Sequence, residues 1–247
     1  MKLRRVINEI RKDTRLWTFW KCANVMAIDR MGYTDHGPTH VKIVANSALK
    51  ILRILIDNQV VPNIVKQYGM KNEDAEIVVV LGSIFHDLGM IVTRQGHELI
   101  SALLSLEFMN KHLARIYNDE ERAVITSEVL HAVVSHEQPR KPLTIEAGIV
   151  GVADALDMEE GRARIPFEAG KVDIHSVSAL SIQRVQIMEG KEKPITVKIT
   201  MTNLAGVFQI DQLLRPRIEN SGLRNYVHVV AEVVGEKERK ILEKLEI

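Results

Sequence analysis

One cysteine, Cys22, stands in 247 residues, so the chain has no internal disulfide and suits a reducing compartment. Charge of one sign is lacking as well: 33 Lys and Arg against 32 Asp and Glu leave a net charge of +1. Attraction to nucleic acid or to an anionic membrane therefore has no source in the chain as a whole. No uninterrupted apolar stretch is long enough to cross a bilayer. Residues 1–15 are basic, but no apolar signal-peptide core follows, because the segment from Trp17 to Trp20 runs straight into Lys21. Internal repeats and low-complexity linkers are missing too. These absences predict a cytoplasmic protein that neither crosses a membrane nor clamps nucleic acid. Residues 1–15 are expected to form a solvated amphipathic helix rather than an RNA- or membrane-binding arm.

What is present is an ordinary globular composition, 46% hydrophobic and 26% charged. The length suits one large domain, or a domain with a smaller companion. Apolar residues recur at helical spacing through Val41, Val44, Ala45, Ala48, Leu49 and Leu52, with Pro38 suited to the first helical position. Asn72, Glu73 and Asp74 start a second helix, with acids where the helix dipole favours them. It runs through IVVVLGSIFHD to about Gly89, apolar on nearly every face and so buried. Its β-branched residues also allow a strand; the flanking caps and the length favour helix. Further helices are expected from Gly96 through HELISALLSLEFMNKHL, from Asn118 or Asp119 to His136, and from Thr144 to about Gly161.

After Pro166 the texture changes. Residues 177–189 and 194–202 alternate like half-buried strands joined by a GKEK hairpin loop; 205–220 reads as a helix, NYVHVVAEVV as a strand, and a short charged helix follows. The prediction is a mainly α protein: a helical domain over residues 1–168, then a small α+β domain, β-β-α-β-α, over 169–247.

A His-Asp pair such as His86-Asp87 means little by itself. Its company is what matters. His40 opens one predicted helix, His86 and Asp87 end another, and Asp154 sits within a third. Crossing helices can aim such side chains at one point, as bundle cores do when they build metal sites. Neutral imidazoles and carboxylates suit Mn, Fe, Zn, Co or Ni and leave positions for water and a phosphate oxygen. By default His112, His175 and His228 are surface or hydrogen-bonded histidines. Asp157 is either an acceptor that orients a ligand histidine or an exposed acid.

HGPTHVKIVANSALKI, SIFHDLGM and VGVADALDM resemble, in order and spacing, the His, His-Asp and Asp motifs of the HD-domain superfamily. The resemblance covers residues from about 30 to 165. It implies a helical metal-binding domain that hydrolyses phosphate esters, most often in nucleotides, with His40, His86, Asp87 and Asp154 on the metal. RQGHELISALLS and AVVSHEQP are similar to segments of larger members and add His97 and His136, the set of the two-metal variant. The cofactor implied is one or two divalent ions: Mn, Fe, Ni, Co, Zn or Mg. His131 competes with His136, but five residues place them about 140° apart around a helix, so His136 is preferred.

Arg162 and Arg164 lie in a segment that resembles the Arg-rich stretch of the RNase Y branch and are candidates for substrate phosphate; Arg140 and Lys141 follow His136. Solvated surface charge is the equal alternative for all four. Met90 stands where many relatives have Lys, and the Gly-Tyr-Pro signature of cyclic di-GMP enzymes is missing. DHGPTHVKIV is similar to the segment of class I cyclic-nucleotide phosphodiesterases in which a first His donates a proton and a second binds metal. That assigns His36 the general acid, with helix capping or a third metal ligand as alternatives. Asp35 and Gly37 depart from that family's Tyr and Asn. The expected reaction is attack of a metal-bound hydroxide on a small phosphoester or nucleotide, with His36 and Asp87 as the catalytic pair. The rivals are a regulatory HD module that binds a nucleotide without turnover, and a di-iron oxygenase on the same scaffold. The α+β unit is assigned either the substrate pocket or an interface in a homo-oligomer.

Overall fold

Local signals in the sequence set most helix boundaries. The computed structural model describes residues 2–162, 174–234 and 244–246. Helix α1 (Lys2–Lys12) is followed by α2 (Thr14–Asn24), whose N-cap Asp13 accepts hydrogen bonds from the amides of Arg15 and Leu16. A π-helical turn, Val25–Arg30, leads to the loop before α3 (Pro38–Asp57), which has its proline at the first position. After short α4 (Asn63–Tyr68) comes α5 (Asn72–Phe85), where Asp74 accepts from the Lys71 amide at 2.9 Å. A 3₁₀ turn (Leu88–Ile91) joins it to α6 (His97–Leu113), then α7 (Asp119–Ser135) with an Asn118–Glu121 capping box. Thr144 caps α8 (Ile145–Ala155).

Every residue of α5 from Ile77 to Phe85 is buried. It packs against α3, α7 and α8, so the β-branched run is a helix on the axis of the bundle. The helical cost of valine and isoleucine is only tenths of a kcal/mol per residue, and burying each side chain outweighs it. The basic N-terminal segment is the expected amphipathic helix, with its apolar face packed and its charged face exposed. It buries Val6 and Ile10, and Lys2 Nζ reaches Asp74 Oδ1 at 2.9 Å.

The C-terminal part has helix α9 (Ile174–Leu180), strands β1 (Ile182–Glu189) and β2 (Ile195–Met201), a helical crossover, and β3 (Val227–Val233). The sheet order is β1-β2-β3-β4, with β4 (Lys244–Glu246) at one edge. β1 and β2 are an antiparallel hairpin closed by Gly190 N to Pro194 O at 3.0 Å. β2 and β3 run parallel, which is why a crossover must lie between them. The mainly α class and the β-β-α-β order match expectation. Details differ. Residues 177–180 are helical, so the first strand starts at Ile182. The crossover is a 3₁₀ turn (Leu204–Gly206), a π-helical segment (Gln209–Leu214) and α10 (Arg215–Asn220) rather than one helix. Lys244–Glu246 pair antiparallel with β3, so this part of the expected closing helix is a strand. Sheet and bundle share one continuous apolar core, and residues 163–173, where the domain boundary was expected, lie outside those described. Among the described residues no helix is long and apolar enough to cross a membrane.

Candidate metal centre

Five helices deliver side chains to one buried point. His40 is the third residue of α3, His86 caps the C-terminus of α5 with Asp87 beyond it, His97 opens α6, His136 caps the end of α7, and Asp154 lies in the last turn of α8. Gly89 makes the approach of α5 and α6 possible: a Cβ there would stand 2.1 Å from the His97 carbonyl oxygen. The 3₁₀ turn can thus lie directly on the start of α6, which sets His97 beside Asp87.

Each imidazole commits its Nδ1 to a partner. His86 donates to Ser83 O at 2.7 Å, His97 to Arg94 O at 2.9 Å and His136 to Val133 O at 2.7 Å, each a carbonyl three residues back. His40 Nδ1 lies 2.6 Å from Asp157 Oδ2. A carbonyl only accepts, so at His86 and His136 the proton sits on Nδ1 and Nε2 is left as a lone pair, the tautomer that metal ligation uses. The Asp157 carboxylate selects the same tautomer at His40, while His97 Nδ1 also has the Arg94 Nη1 donor at 3.0 Å. Those Nε2 atoms then face one another in two pairs, His40 with His86 at 3.1 Å and His97 with His136 at 3.3 Å. Lone pairs this close repel unless a proton or a cation joins them.

Asp87 stands between the pairs. Its Oδ2 is 3.3 Å from His40 Nε2 and 3.1 Å from His86 Nε2; its Oδ1 is 3.1 Å from His97 Nε2 and 3.9 Å from His136 Nε2. Asp154 Oδ1 adds contacts of 3.4 Å to His40 Nε2 and 3.7 Å to His86 Nε2. The donor atoms of His40, His86 and Asp87, of His86, His136 and Asp154, and of Asp87, His97 and His136 each lie within 4.8 Å of one another. Side chains of this chemistry at this spacing fit a divalent ion.

The electrostatics agree with that fit. Burial and the Arg162 charge push the His40 imidazole down, but the carboxylates of Asp154, Asp157 and Asp87 outweigh them and raise it to about 9. Burial likewise opposes His86, which the Asp87 charge and hydrogen bonds with Asp154 and Asp87 raise to about 10. Burial and the positive His86 and His97 depress His136 to about 3. Burial would raise Asp87 and Asp154; the imidazoles, His86 first for Asp87 and His40 first for Asp154, hold both well below the usual carboxylate range. Without a metal ion, then, the centre keeps its carboxylates charged and neutralises them with protons on histidine.

The remaining candidates fall around this cluster. His36 lies beside it, its ring centroid 5.7 Å from that of His40, with Nδ1 donating to Thr34 O at 2.7 Å. Burial, against the opposing charge of Asp87, lowers it to about 4. Asp157 is the acceptor for His40 although α8 has ended at Ala155, short of the expected Gly161. Arg162 binds the backbone, Nη1 to Asp157 O at 2.8 Å and Nε to Asp35 O at 3.3 Å, and its Nη1 is 4.0 Å from Asp154 Oδ1. Arg164 lies outside the described residues. His131 is not brought to the cluster; its Nε2 accepts from the Leu143 amide at 2.9 Å. His112 is hydrogen-bonded to Asp13 at 2.9 Å.

Arg94, Glu98, Glu137 and Arg217 carried no assignment from the sequence. Arg94 forks onto Glu137, and Arg140 pairs with Glu98. His97 Nδ1 is 3.5 Å from both Glu98 and Glu137, so these pairs wall the His97 end of the centre with balanced charge. Arg94, Glu98 and Glu137 sit within three residues of His97 or His136, a signal that was available. Arg217, from α10, comes within 3.7 Å of Asp154 with no such signal. Met90 supplies no cation: it is fully buried among Ala23 and Ala27.

A helical bundle whose helix ends gather imidazole and carboxylate donors around one aspartate defines a helical domain with a centre compatible with divalent metal. Residues 39–159 match the family model described as HD domain. The chain is also 46% identical over 242 residues to an uncharacterized protein, MJ1020, of Methanocaldococcus jannaschii, covering 98% of this chain and 93% of the relative. This protein belongs to the HD-domain family.

Proposed function

We propose that this protein is a metal-dependent phosphohydrolase that cleaves a nucleotide or a related small phosphoester. The observation that carries the proposal is Asp87, one carboxylate whose two oxygens address two separate pairs of imidazole Nε2 atoms. His40, His86, Asp87 and Asp154 would hold one divalent ion, and His97 and His136, sharing Asp87, a second. A divalent ion held there would lower the pKa of water toward neutrality and offset charge on the phosphoryl oxygens. The chain supplies the rest. The Nδ1 hydrogen bonds fix each ring, so the Nε2 atoms need no reorganisation to bind. His36 has Nδ1 committed to Thr34 O, so it would give a proton to the leaving oxygen through Nε2. Its depressed pKa means that it must first gain that proton, which the negative charge of a bound phosphoester favours.

The test is metal analysis of the purified protein, followed by a nucleotide panel and bis-p-nitrophenyl phosphate with the metal it carries. Turnover that a chelator abolishes is the expected result. Tight nucleotide binding without turnover in the metal-loaded protein would identify a regulatory module instead. Strict dependence on iron and oxygen would identify an oxygenase.

A further inference from the structure

Arg217 belongs to α10 (Arg215–Asn220), far along the chain from the donor residues, yet its guanidinium enters the metal centre. The reason lies in α8. Gly148, Gly151 and Asp154 follow one another at spacing three and share a face of that helix. A Cβ at Gly148 would stand 2.1 Å from the Ser221 carbonyl oxygen, and one at Gly151 would stand 3.0 Å from the His136 carbonyl oxygen and in ordinary contact, 3.7 Å, with Arg217 Nη1. The missing side chain of Gly148 admits the end of the α10 segment, and Arg217 then lies along the same face, up to Asp154.

Arg217 Nη1 is enclosed but has no hydrogen-bond partner among the described residues. Its nearest carboxylate oxygen, Asp154 Oδ2, is 3.7 Å away, beyond hydrogen-bond reach. Arg162 Nη1 stands 4.0 Å from the other oxygen of that carboxylate. Two guanidinium groups therefore converge on the Asp154 end of the centre, Arg162 tied to the Asp157 and Asp35 carbonyls and Arg217 with its Nη1 unpaired. A buried donor left unpaired is costly, and one that persists at a site calls for a ligand.

Charge says which kind. Once an ion replaces the histidine protons, around the four neutral imidazoles stand three carboxylates, Asp87, Asp154 and Asp157, and two cations, Arg162 and Arg217, whose contacts with those carboxylates are all 3.7 Å or longer. The Arg94–Glu137 and Arg140–Glu98 pairs cancel. With even one divalent ion bound, the centre is net positive, and with two strongly so. It then requires an anion with acceptor oxygens, placed where Arg217 can donate.

We propose that Arg217 grips a phosphoryl oxygen of the substrate, so that the C-terminal α+β part completes the active site; this rests on the phosphohydrolase assignment above. The guanidinium fork donates to an anion already held at the ions, adding affinity and orientation. The experiment compares wild type with Arg217→Gln and Arg217→Lys, each loaded with Mn²⁺ and titrated calorimetrically with inorganic phosphate, with metal content measured in parallel. Arg217→Gln is expected to weaken phosphate binding by roughly ten- to a hundredfold, the range for one charge-assisted hydrogen bond. Its metal content should match wild type. Arg217→Lys, which keeps the charge but not the fork, should lose less. Unchanged phosphate affinity in a fully loaded Arg217→Gln protein overturns the proposal and leaves the phosphohydrolase assignment intact. Loss of metal in both variants also overturns it and makes Arg217 a positioning residue for Asp154. If loaded wild type binds no phosphate, both the proposal and the phosphohydrolase assignment fall.

Discussion

Asp87 has no substitute nearby: its two oxygens are shared between His40 and His86 on one side and His97 and His136 on the other. Asp87→Ala should therefore abolish both bound metal and hydrolysis, and stoichiometric metal in that variant would sink the assignment. His97→Ala and His136→Ala separate one ion from two. Each should lower metal content from two ions per chain toward one, while His131→Ala, whose ring faces the Leu143 amide, leaves it unchanged. An unchanged count in both of the first two would mean a single-ion centre flanked by pocket histidines. His36 makes a subtler claim. His36→Ala should keep its metal and lose roughly 10²-fold or more on substrates with alkoxide leaving groups. It should lose little on p-nitrophenyl esters, whose leaving group departs without a proton. Equal losses on both would exclude the acid role. These residues were legible because each stands beside a helix signal in the sequence. Arg217 was not, because nothing local marks a residue whose placement depends on Gly148, 69 positions earlier.

The elements place these side chains through their ends, where backbone geometry matters most. Gly89 shows the sensitivity, since a Cβ there would meet the His97 carbonyl at 2.1 Å, and both partners are backbone with no rotamer to yield. Gly89→Ala should cost about 1–3 kcal/mol or more by overpacking. It should also lower metal affinity by moving His97 away from Asp87. Denaturant unfolding of the metal-free protein beside a metal titration checks both, and a variant with wild-type stability and affinity would mean that the turn shifts freely. The same geometry explains where elements escaped the sequence. Helix α5 was legible because its acids and its unbroken burial agree. The end of α8 was not: ALDMEEG continues a helical pattern, yet the chain turns after Ala155 so that Asp157 can reach His40 Nδ1. Val177–Leu180 alternate like a strand, but short α9 packs on β1, and tertiary contact decides over pattern.

Across the whole molecule the centre is a tie among α3, α5, α6, α7 and α8, so its occupancy should govern global stability. An ion that binds the folded chain and not the unfolded one would add about 4 kcal/mol at a thousandfold above its dissociation constant. For a chain of this length that is a rise of on the order of 10 °C in Tm. The sign of its pH dependence follows from the histidines. His40 and His86 are raised to about 9 and about 10 from an ordinary value near 6.5. Groups raised on folding contribute stability that is fully present below the unfolded pKa and lost as pH climbs through the folded values. The metal-free protein should thus lose stability steadily between about pH 6.5 and 10, as His40 and His86 give up these protons and their Nε2 lone pairs face one another bare. The loaded protein should not, because the ion holds the same lone pairs at every pH in that window. Protons on His40 and His86 compete with the ion wherever the pH lies below their raised values, so the gain on loading shrinks as pH falls. Thermal melts of chelated and loaded protein at pH 6, 7.5 and 9 should show a gap in Tm that widens with pH. A gap that is constant, or that narrows upward, would mean that the protons sit elsewhere and that these four histidines are not where the metal binds.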